Sequence, residues 1–409
     1  MPAVTSKLAV ASAALALFAA SASSALAQKK YDTGANDTEI KIGNIMPYSG
    51  PASAYGVIGK TEEAYFKKIN AEGGINGRKI NFVTYDDAYT PPKTVEQARK
   101  LVESDEVLLV FNSLGTPPNT AIQKYMNAKK VPQLFVATGA TKWNDPKNFP
   151  WTMGWQPNYQ SESIIYAKYI LKNHPNAKIG VLYQNDDYGK DYLKGFKDGL
   201  GAKAASMIVL EESYEVSEPT IDSHIVKLKS TGADVFFNIT TPKFAAQAIK
   251  KNSEIGWKPI HFLNNVSASI GSVIKPAGPE NAQDIISSAY LKDPTDPQWK
   301  NDAGMKAWNE FLDKYYPDAN RADGSVMYGY TVAQGLVHVL KACGDNLTRE
   351  NVMKQAANIK NLELGGLLPG VKVSTSPTDF APISQLQLMK FKGETWERFG
   401  EILSGDVGG

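Results

Sequence analysis

Few residues in this chain have the types and spacing that chemistry would need. Two carboxylate pairs, Asp86-Asp87 and Asp186-Asp187, each stand at a predicted strand end. Paired carboxylates can divide acid and base roles, but the first pair reads more simply as a turn cap in solvent. The second precedes Tyr188-Gly189, where capping and ligand contact are both open. Gly59-Lys60-Thr61 imitates the end of a phosphate-binding loop. That motif needs glycine at position 54, which is Ala54, and a strand-to-helix loop rather than the helix predicted here. The four histidines, His174, His224, His261 and His338, are far apart, with no HExxH and no CxxC. No metal and no cofactor are therefore expected. His224 and His261 read as lone imidazoles at the surface or in the core. Cys343 cannot form an internal disulfide and is expected to be a small buried apolar group. Nothing assembles a nucleophile, a base and an oxyanion donor, so the chain does not read as an enzyme.

Small polar residues with aromatics beside them recur at strand ends. Leu114-Gly115-Thr116 opens one predicted helix, and Gly139-Ala140-Thr141 follows another strand. Tyr55 comes after Ser49-Gly50-Pro51, and Tyr188 opens a later helix. Such a lining can hold a small carboxylate through N–H and hydroxyl groups, with tyrosine over an apolar part. Ordinary turns use the same residue types.

These groups are carried on a repeating strand–turn–helix rhythm that starts at Glu39. Strands are predicted at 40–46, 79–85, 108–112, 133–138, 178–183, 205–210, 234–239 and 260–263. Helices are predicted at 55–70, 92–104, 117–128, 159–172, 188–200, 220–230 and 242–255. Alternation of this kind gives parallel sheets covered by helices on both faces, with right-handed crossovers. The segment 284–290 reads as a connection between lobes. Helices at 302–315, 326–342 and 349–359 follow, and then a strand-like tail with strands at 385–391 and 395–399. A weak echo relates two places. Val110-Phe111-Asn112 with Thr116-Pro117 resembles Phe236-Phe237-Asn238 with Thr241-Pro242, each reading as a strand followed by an N-cap threonine and an N1 proline.

Charge and the first segment bound the partners. Lys+Arg 44 against Asp+Glu 42 gives a formal net charge of +2, too balanced for a nucleic-acid partner. Residues 1–27 carry one charge, Lys7, then an apolar run from Leu8 to Ala20 and the small-residue site Ala25-Leu26-Ala27. This is expected to be a cleaved signal peptide, since the run falls short of the roughly 20 residues that span a membrane. Its removal takes one Lys and no acid, leaving 43 against 42, a net +1. No cysteine follows the cleavage site to carry a lipid. The expectation is a monomer that diffuses in a Gram-negative periplasm.

The order of motifs resembles the leucine/isoleucine/valine-binding proteins. The resemblance rests on Ile40-Lys41-Ile42-Gly43, Ser49-Gly50-Pro51 with Tyr55-Gly56, the run NAEGGINGR at 70–78, Tyr85-Asp86-Asp87, Val131-Pro132, Ala140-Thr141 and Asp187-Tyr188-Gly189. It covers most of residues 39–400. It implies an α/β type I periplasmic-binding-protein fold, with two doubly wound parallel-sheet lobes joined by a three-strand hinge. The N-terminal lobe would be 39–156 with 291–366, and the C-terminal lobe 157–290 with 367–400. It implies a receptor that closes on an amino acid or another small carboxylate and delivers it to the inner-membrane permease of an ABC importer. A receptor for an amide or urea, or a sensor of the same fold, would be its nearest alternative, and a periplasmic hydrolase a more distant one. By position, Leu114, Gly115 and Thr116 with Gly139, Ala140 and Thr141 would hold the carboxylate. Tyr55 and Tyr188 would flank it, and Thr240 would face them. Amino-acid-binding members place an acid near 263–266, where this chain has Leu263-Asn264-Asn265-Val266. Asp186 or Asp187 would have to substitute. Asn264 and Asn265 suit an acid without an ammonium group.

Overall fold

The computed structural model describes residues 28–404. The expected signal peptide lies outside the described residues.

Two sheets form the frame. In the first, five parallel strands lie in the order Lys79–Asp86, Glu39–Met46, Leu109–Phe111, Gln133–Val136, Thr152–Gly154. The inner strands are apolar at nearly every position because both faces are covered. Val110 packs with Leu101, Ile122 and Met126 on one side. Phe111 meets Phe66 of the helix Val57–Ala71 on the other. Gly59 of that helix is a packing residue. A Cβ there would come within 2.2 Å of the Tyr48 hydroxyl, and this accounts for the fragment that imitates a phosphate loop.

The second sheet has seven strands, in the order Thr395–Ser404, Gln385–Lys392, Ile286–Ala289, Ile260–Leu263, Val235–Ile239, Ile179–Gln184, Ile208–Tyr214. One expectation is corrected here. Ile286–Ala289 is a buried strand inside this sheet, parallel to Ile260–Leu263. Four residues flanked by prolines downstream carry too little pattern to announce a strand, and pairing on both edges supplies the stability. The last two strands run antiparallel, so this sheet is mixed. A hairpin turned at Gly393 can return only in that sense.

Smaller differences have local causes. The strand expected at 205–210 is Ile208–Tyr214, and Ala204–Met207 is helical, as its two alanines favour. Thr116 is the first residue of its helix and Gly115 the N-cap. Thr241 is an N-cap, as expected. Cys343 ends its helix and is buried.

The chain crosses between the sheets three times: after Gly154, after Ala289, and again before Gln385. Between the last two crossings, helices Ala303–Tyr315 and Gly324–Cys343 return to the first sheet's side. Phe311 and Tyr330 pack against Tyr65 there. Two crossings lie side by side, with the Leu368 N–H donating to the Tyr290 carbonyl and the Lys292 N–H to that of Gly366, at 2.9 and 2.8 Å.

Candidate ligand-binding cleft

Strand ends of both sheets converge on one cavity of about 150 Å³. Tyr55, Tyr89 and Thr116 reach it from segments that follow strands of the first sheet. Tyr188, Thr241 and Asn265 reach it from segments that follow strands of the second. In open α/β sheets this is where ligands bind. Six tyrosines line it, Tyr55, Tyr89, Tyr159, Tyr188, Tyr290 and Tyr328. Burial pushes the phenols of Tyr55, Tyr89 and Tyr188 well above their usual range, so they stay neutral hydrogen-bonding groups. Tyr159 stacks on Tyr192 with centroids 4.3 Å apart and meets the edge of Tyr188 at 5.6 Å.

Gly115 gives the cavity its first anchor. Its φ of +102° turns the chain into the helix Thr116–Lys129, and a Cβ would meet the Tyr89 ring at 2.6 Å. Helix N-termini present unpaired N–H groups. Here Thr116 can supply one, while Pro117 and Pro118 supply none. The Thr116 hydroxyl pairs with that of Thr138 at 2.6 Å, and the Trp143 indole donates to Thr138 at 3.1 Å.

Of the residues singled out from sequence, Tyr55, Leu114, Gly115, Thr116, Tyr188 and Asn265 line the cavity. The others stand elsewhere. Thr141 spends its N–H and hydroxyl on Asp191, at 2.8 and 3.0 Å. Ala140 is buried beside it. Gly139 lies against the Tyr159 ring and accepts the Tyr159 N–H at 2.8 Å. Thr240 and Asn264 form a layer behind the wall. With its amide oxygen toward the Tyr188 hydroxyl, Asn264 donates to the Thr240 and Asn238 carbonyls at 3.1 and 3.2 Å. The Thr240 hydroxyl donates to Asn238 at 2.6 Å. Thr241, one position on, reaches the cavity instead.

The carboxylate pairs also resolve. Asp86 accepts the Tyr48, Ser49 and Ala88 N–H groups, which is the turn cap expected of it. Asp87 departs from the solvent reading: it is buried and accepts from the Tyr89 N–H at 2.9 Å and the Thr94 hydroxyl at 2.7 Å. Asp186 is the N-cap of Asp187–Leu200, holding the Tyr188 and Gly189 N–H groups. Asp187 pairs with Lys142 at 2.7 Å, and that cation holds its carboxyl below the usual range. Neither lines the cavity. Nor is His224 alone, since Glu212 and Glu218 flank its ring at 2.7 and 2.9 Å. His261 is buried, and burial pushes it down to about 3, so it is neutral.

Sequence reasoning missed a buried carboxylate that holds the wall residue Asn265. Glu162 is buried inside the helix Tyr159–Asn173. It accepts from the Tyr166 and Tyr192 hydroxyls, each at 2.7 Å, and from the Asn265 N–H at 2.6 Å. Burial pushes its carboxyl up to about 7, against the opposing pull of those donors. A single glutamate in an amphipathic helix gives no local signal that it will face inward. Tyr89, Tyr159, Tyr290 and Tyr328 were missed too, because no local pattern brings them to the cavity.

Among the described residues, no group of three or more His, Cys, Asp or Glu could hold a metal. No helix among them is long and apolar enough to cross a membrane.

Comparison with known proteins agrees with this geometry. The model of the periplasmic binding protein family matches residues 39–395. The Leu/Ile/Val-binding protein homolog 7 of Brucella suis biovar 1 (strain 1330) is 25% identical over 345 residues, 80% of this chain and 82% of the relative. A branched chain amino acid ABC transporter from Thermus thermophilus, solved with bound valine, superposes with a TM-score of 0.81 at 16% identity, covering 91% of this chain and 98% of that one. A fatty acid ABC transporter substrate-binding protein from Thermomonospora curvata gives 0.78 at 21% identity, over 92% and 95%. The fold is that of the type I periplasmic binding proteins, whose members bind a substrate and do not transform it. The chain belongs to the periplasmic binding protein family.

Proposed function

We propose that this chain is the periplasmic solute-binding component of an ABC importer, that it closes on a small carboxylate, and that it passes the ligand to an inner-membrane permease. One observation carries the reading: a single cavity is walled by strand ends from both sheets. A ligand there touches both walls only when they are together, so binding favours the closed arrangement by its differential affinity. The lobes we assign are 39–156 with 291–366 and 157–290 with 367–400. We take residues 1–27 as the export signal and the mature chain as a monomer.

The site favours an acid without an ammonium group. Asp186 is spent as a helix cap, Asp187 on Lys142, and Glu162 on three donors, while Asp293, the one carboxylate among the residues that line the cavity, comes from the crossing after Ile286–Ala289 and holds the Thr295 N–H and hydroxyl. An ammonium beside Thr116 and Tyr188 would lose its water without gaining a free counter-charge there, a cost of several kcal/mol. Aromatic or aliphatic carboxylates avoid that cost, and the tyrosine walls suit their apolar bodies.

Isothermal titration against branched-chain amino acids, aromatic acids, aliphatic acids and amides tests the reading. Binding near 1:1 by a plain acid, with a raised melting temperature, is expected. If none of the four classes bound or stabilised the protein, the proposal would be abandoned. Binding of amino acids in preference to plain acids would overturn the choice of ligand class.

A further inference from the structure

Five of the six tyrosines around the cavity have their hydroxyls bonded to the protein. Tyr55 donates to the Val266 carbonyl at 2.8 Å, and Tyr188 pairs with Asn264. Tyr89 accepts from the Gln184 amide at 3.3 Å, Tyr159 from the Gln156 amide at 3.4 Å, and Tyr328 from the Asn112 amide at 3.1 Å. Tyr290 differs. Among the described residues its hydroxyl has no hydrogen-bond partner. The side chain is nonetheless inside, since Tyr290 is 4% exposed and lines the cavity.

A ligand can reach this hydroxyl. The unpaired Trp155 and Trp308 indole nitrogens have almost no accessible surface, whereas the Tyr290 oxygen keeps some. With the rest of the residue buried, that surface is open to the cavity that Tyr290 lines. The backbone holds the ring in place. Ala289, just before it, pairs with Gln387 in the sheet, and the Tyr290 carbonyl accepts the Leu368 N–H at 2.9 Å. The boundary assigned between the lobes falls directly after Tyr290, so the ring stands where the two walls join. Burial pushes its phenol well above the usual range, so it keeps a proton to donate. A polar group in such a place costs free energy until a partner is supplied.

We propose that Tyr290 is a specificity-determining residue of the ligand site, its hydroxyl donating to an oxygen of the bound ligand. This rests on the carboxylate reading above and adds a demand to it: the ligand brings an oxygen acceptor to the place where the walls join. The carboxylate can supply that oxygen, and so can a hydroxyl elsewhere on the acid. A hydrocarbon group at that point leaves the phenol unpaired.

Tyr290→Phe removes the hydroxyl and keeps the ring. Titration calorimetry of the full mature protein would compare native and variant with hexanoate and 3-phenylpropanoate, whose only oxygens are those of the carboxylate. The same comparison would be made with 6-hydroxyhexanoate and 3-(4-hydroxyphenyl)propanoate. The variant is expected to bind at least one of these acids about fivefold or more weakly. The melting temperature of the free protein should stay the same or rise, since no bond within the protein is lost. A loss shared by the plain acids assigns the carboxylate to Tyr290, and a loss confined to the hydroxylated acids assigns the second oxygen. Equal affinities of native and variant for every acid that binds would overturn the role of Tyr290 while the receptor reading stands. A lowered melting temperature of the free variant would overturn it too, by showing that the hydroxyl serves the fold. If no acid of either series binds the native protein, the carboxylate reading fails and the role of Tyr290 falls with it.

Discussion

The Tyr55 hydroxyl donates to the Val266 carbonyl at 2.8 Å, joining residues 211 positions apart on opposite walls of the cavity. Tyr55 sits in the turn Ser53–Gly56 beside the first sheet, and Val266 in the short turn Asn265–Ser267 beyond Leu263 of the second. The bond exists only while the walls are together, so its free energy belongs to closure. Tyr55→Phe should weaken ligand binding about fivefold, the worth of one neutral hydrogen bond of ~1 kcal/mol, and leave the melting temperature of the free protein nearly unchanged. Calorimetry reads the first and a thermal melt the second. An equal loss in both would mean that Tyr55 serves the fold rather than closure.

A second contact between the walls lies at Asp191. It accepts the Thr141 N–H and hydroxyl and the Gln160 amide, at 2.8, 3.0 and 2.7 Å. Nearby, Lys142 and Asp187 form an ion pair whose partners are 36% and 53% exposed. Burial decides between them. Asp191→Ala removes an acceptor from three donors and should weaken ligand binding tenfold or more. Lys142→Ala should cost less than about threefold, and that loss should shrink in high salt. Affinities measured at two salt concentrations would separate them, and a larger effect at Lys142 would refute the ranking.

Glu162 makes stability depend on pH. Its carboxyl rises from an ordinary 4.5 to about 7 because it is buried. The fold therefore keeps a proton that the unfolded chain gives up near 4.5. The stabilisation tied to it is complete below that pH, declines as the pH rises, and is gone above about 7. A shift of that size corresponds to roughly 3 kcal/mol. Glu162→Gln, which imitates the protonated form, should flatten the decline between pH 5 and 7.5 in denaturant melts. If the native and variant curves stayed parallel across that range, the assignment would fail.

The sheets could be read in the sequence because parallel strands covered on both faces are apolar throughout, and capped helices separate them. Ile179–Gln184 and Val235–Ile239 show this plainly. Ile286–Ala289 could not be, since a four-residue strand depends on neighbours from residues 260 and 385 onward. The cleft divides in the same way. Gly115, Thr116, Tyr55 and Tyr188 follow strands and carry turn signals. Tyr290, Tyr328 and Asp293 come from a crossing segment and from a helix that returns late in the chain. Their place follows from three-dimensional closure alone. Thr141 shows the limit of motif position, because its polar groups are satisfied by Asp191.

Glu62 is the counterpart to Glu162 and predicts the opposite response to substitution. It is fully buried on the helix Val57–Ala71, and burial pushes its carboxyl well above the usual range. Where Glu162 has three donors, Glu62 has one weak contact, from the Asn44 amide at 3.4 Å, and its Oε1 has no partner in the protein. Asn44 itself is better held elsewhere, donating to the Phe111 carbonyl at 2.9 Å and accepting from the Thr84 hydroxyl at 2.7 Å. Little is lost by removing the acid, and a desolvation cost disappears with it. Glu62→Met should raise stability at pH 8 by about 1–3 kcal/mol. The gain should shrink toward pH 4, where the native carboxyl is protonated in both folded and unfolded chains. Denaturant melts at the two pH values measure the difference. A variant less stable than the native protein at pH 8 would show that Glu62 holds a structural role through Asn44 that its long contact does not reveal.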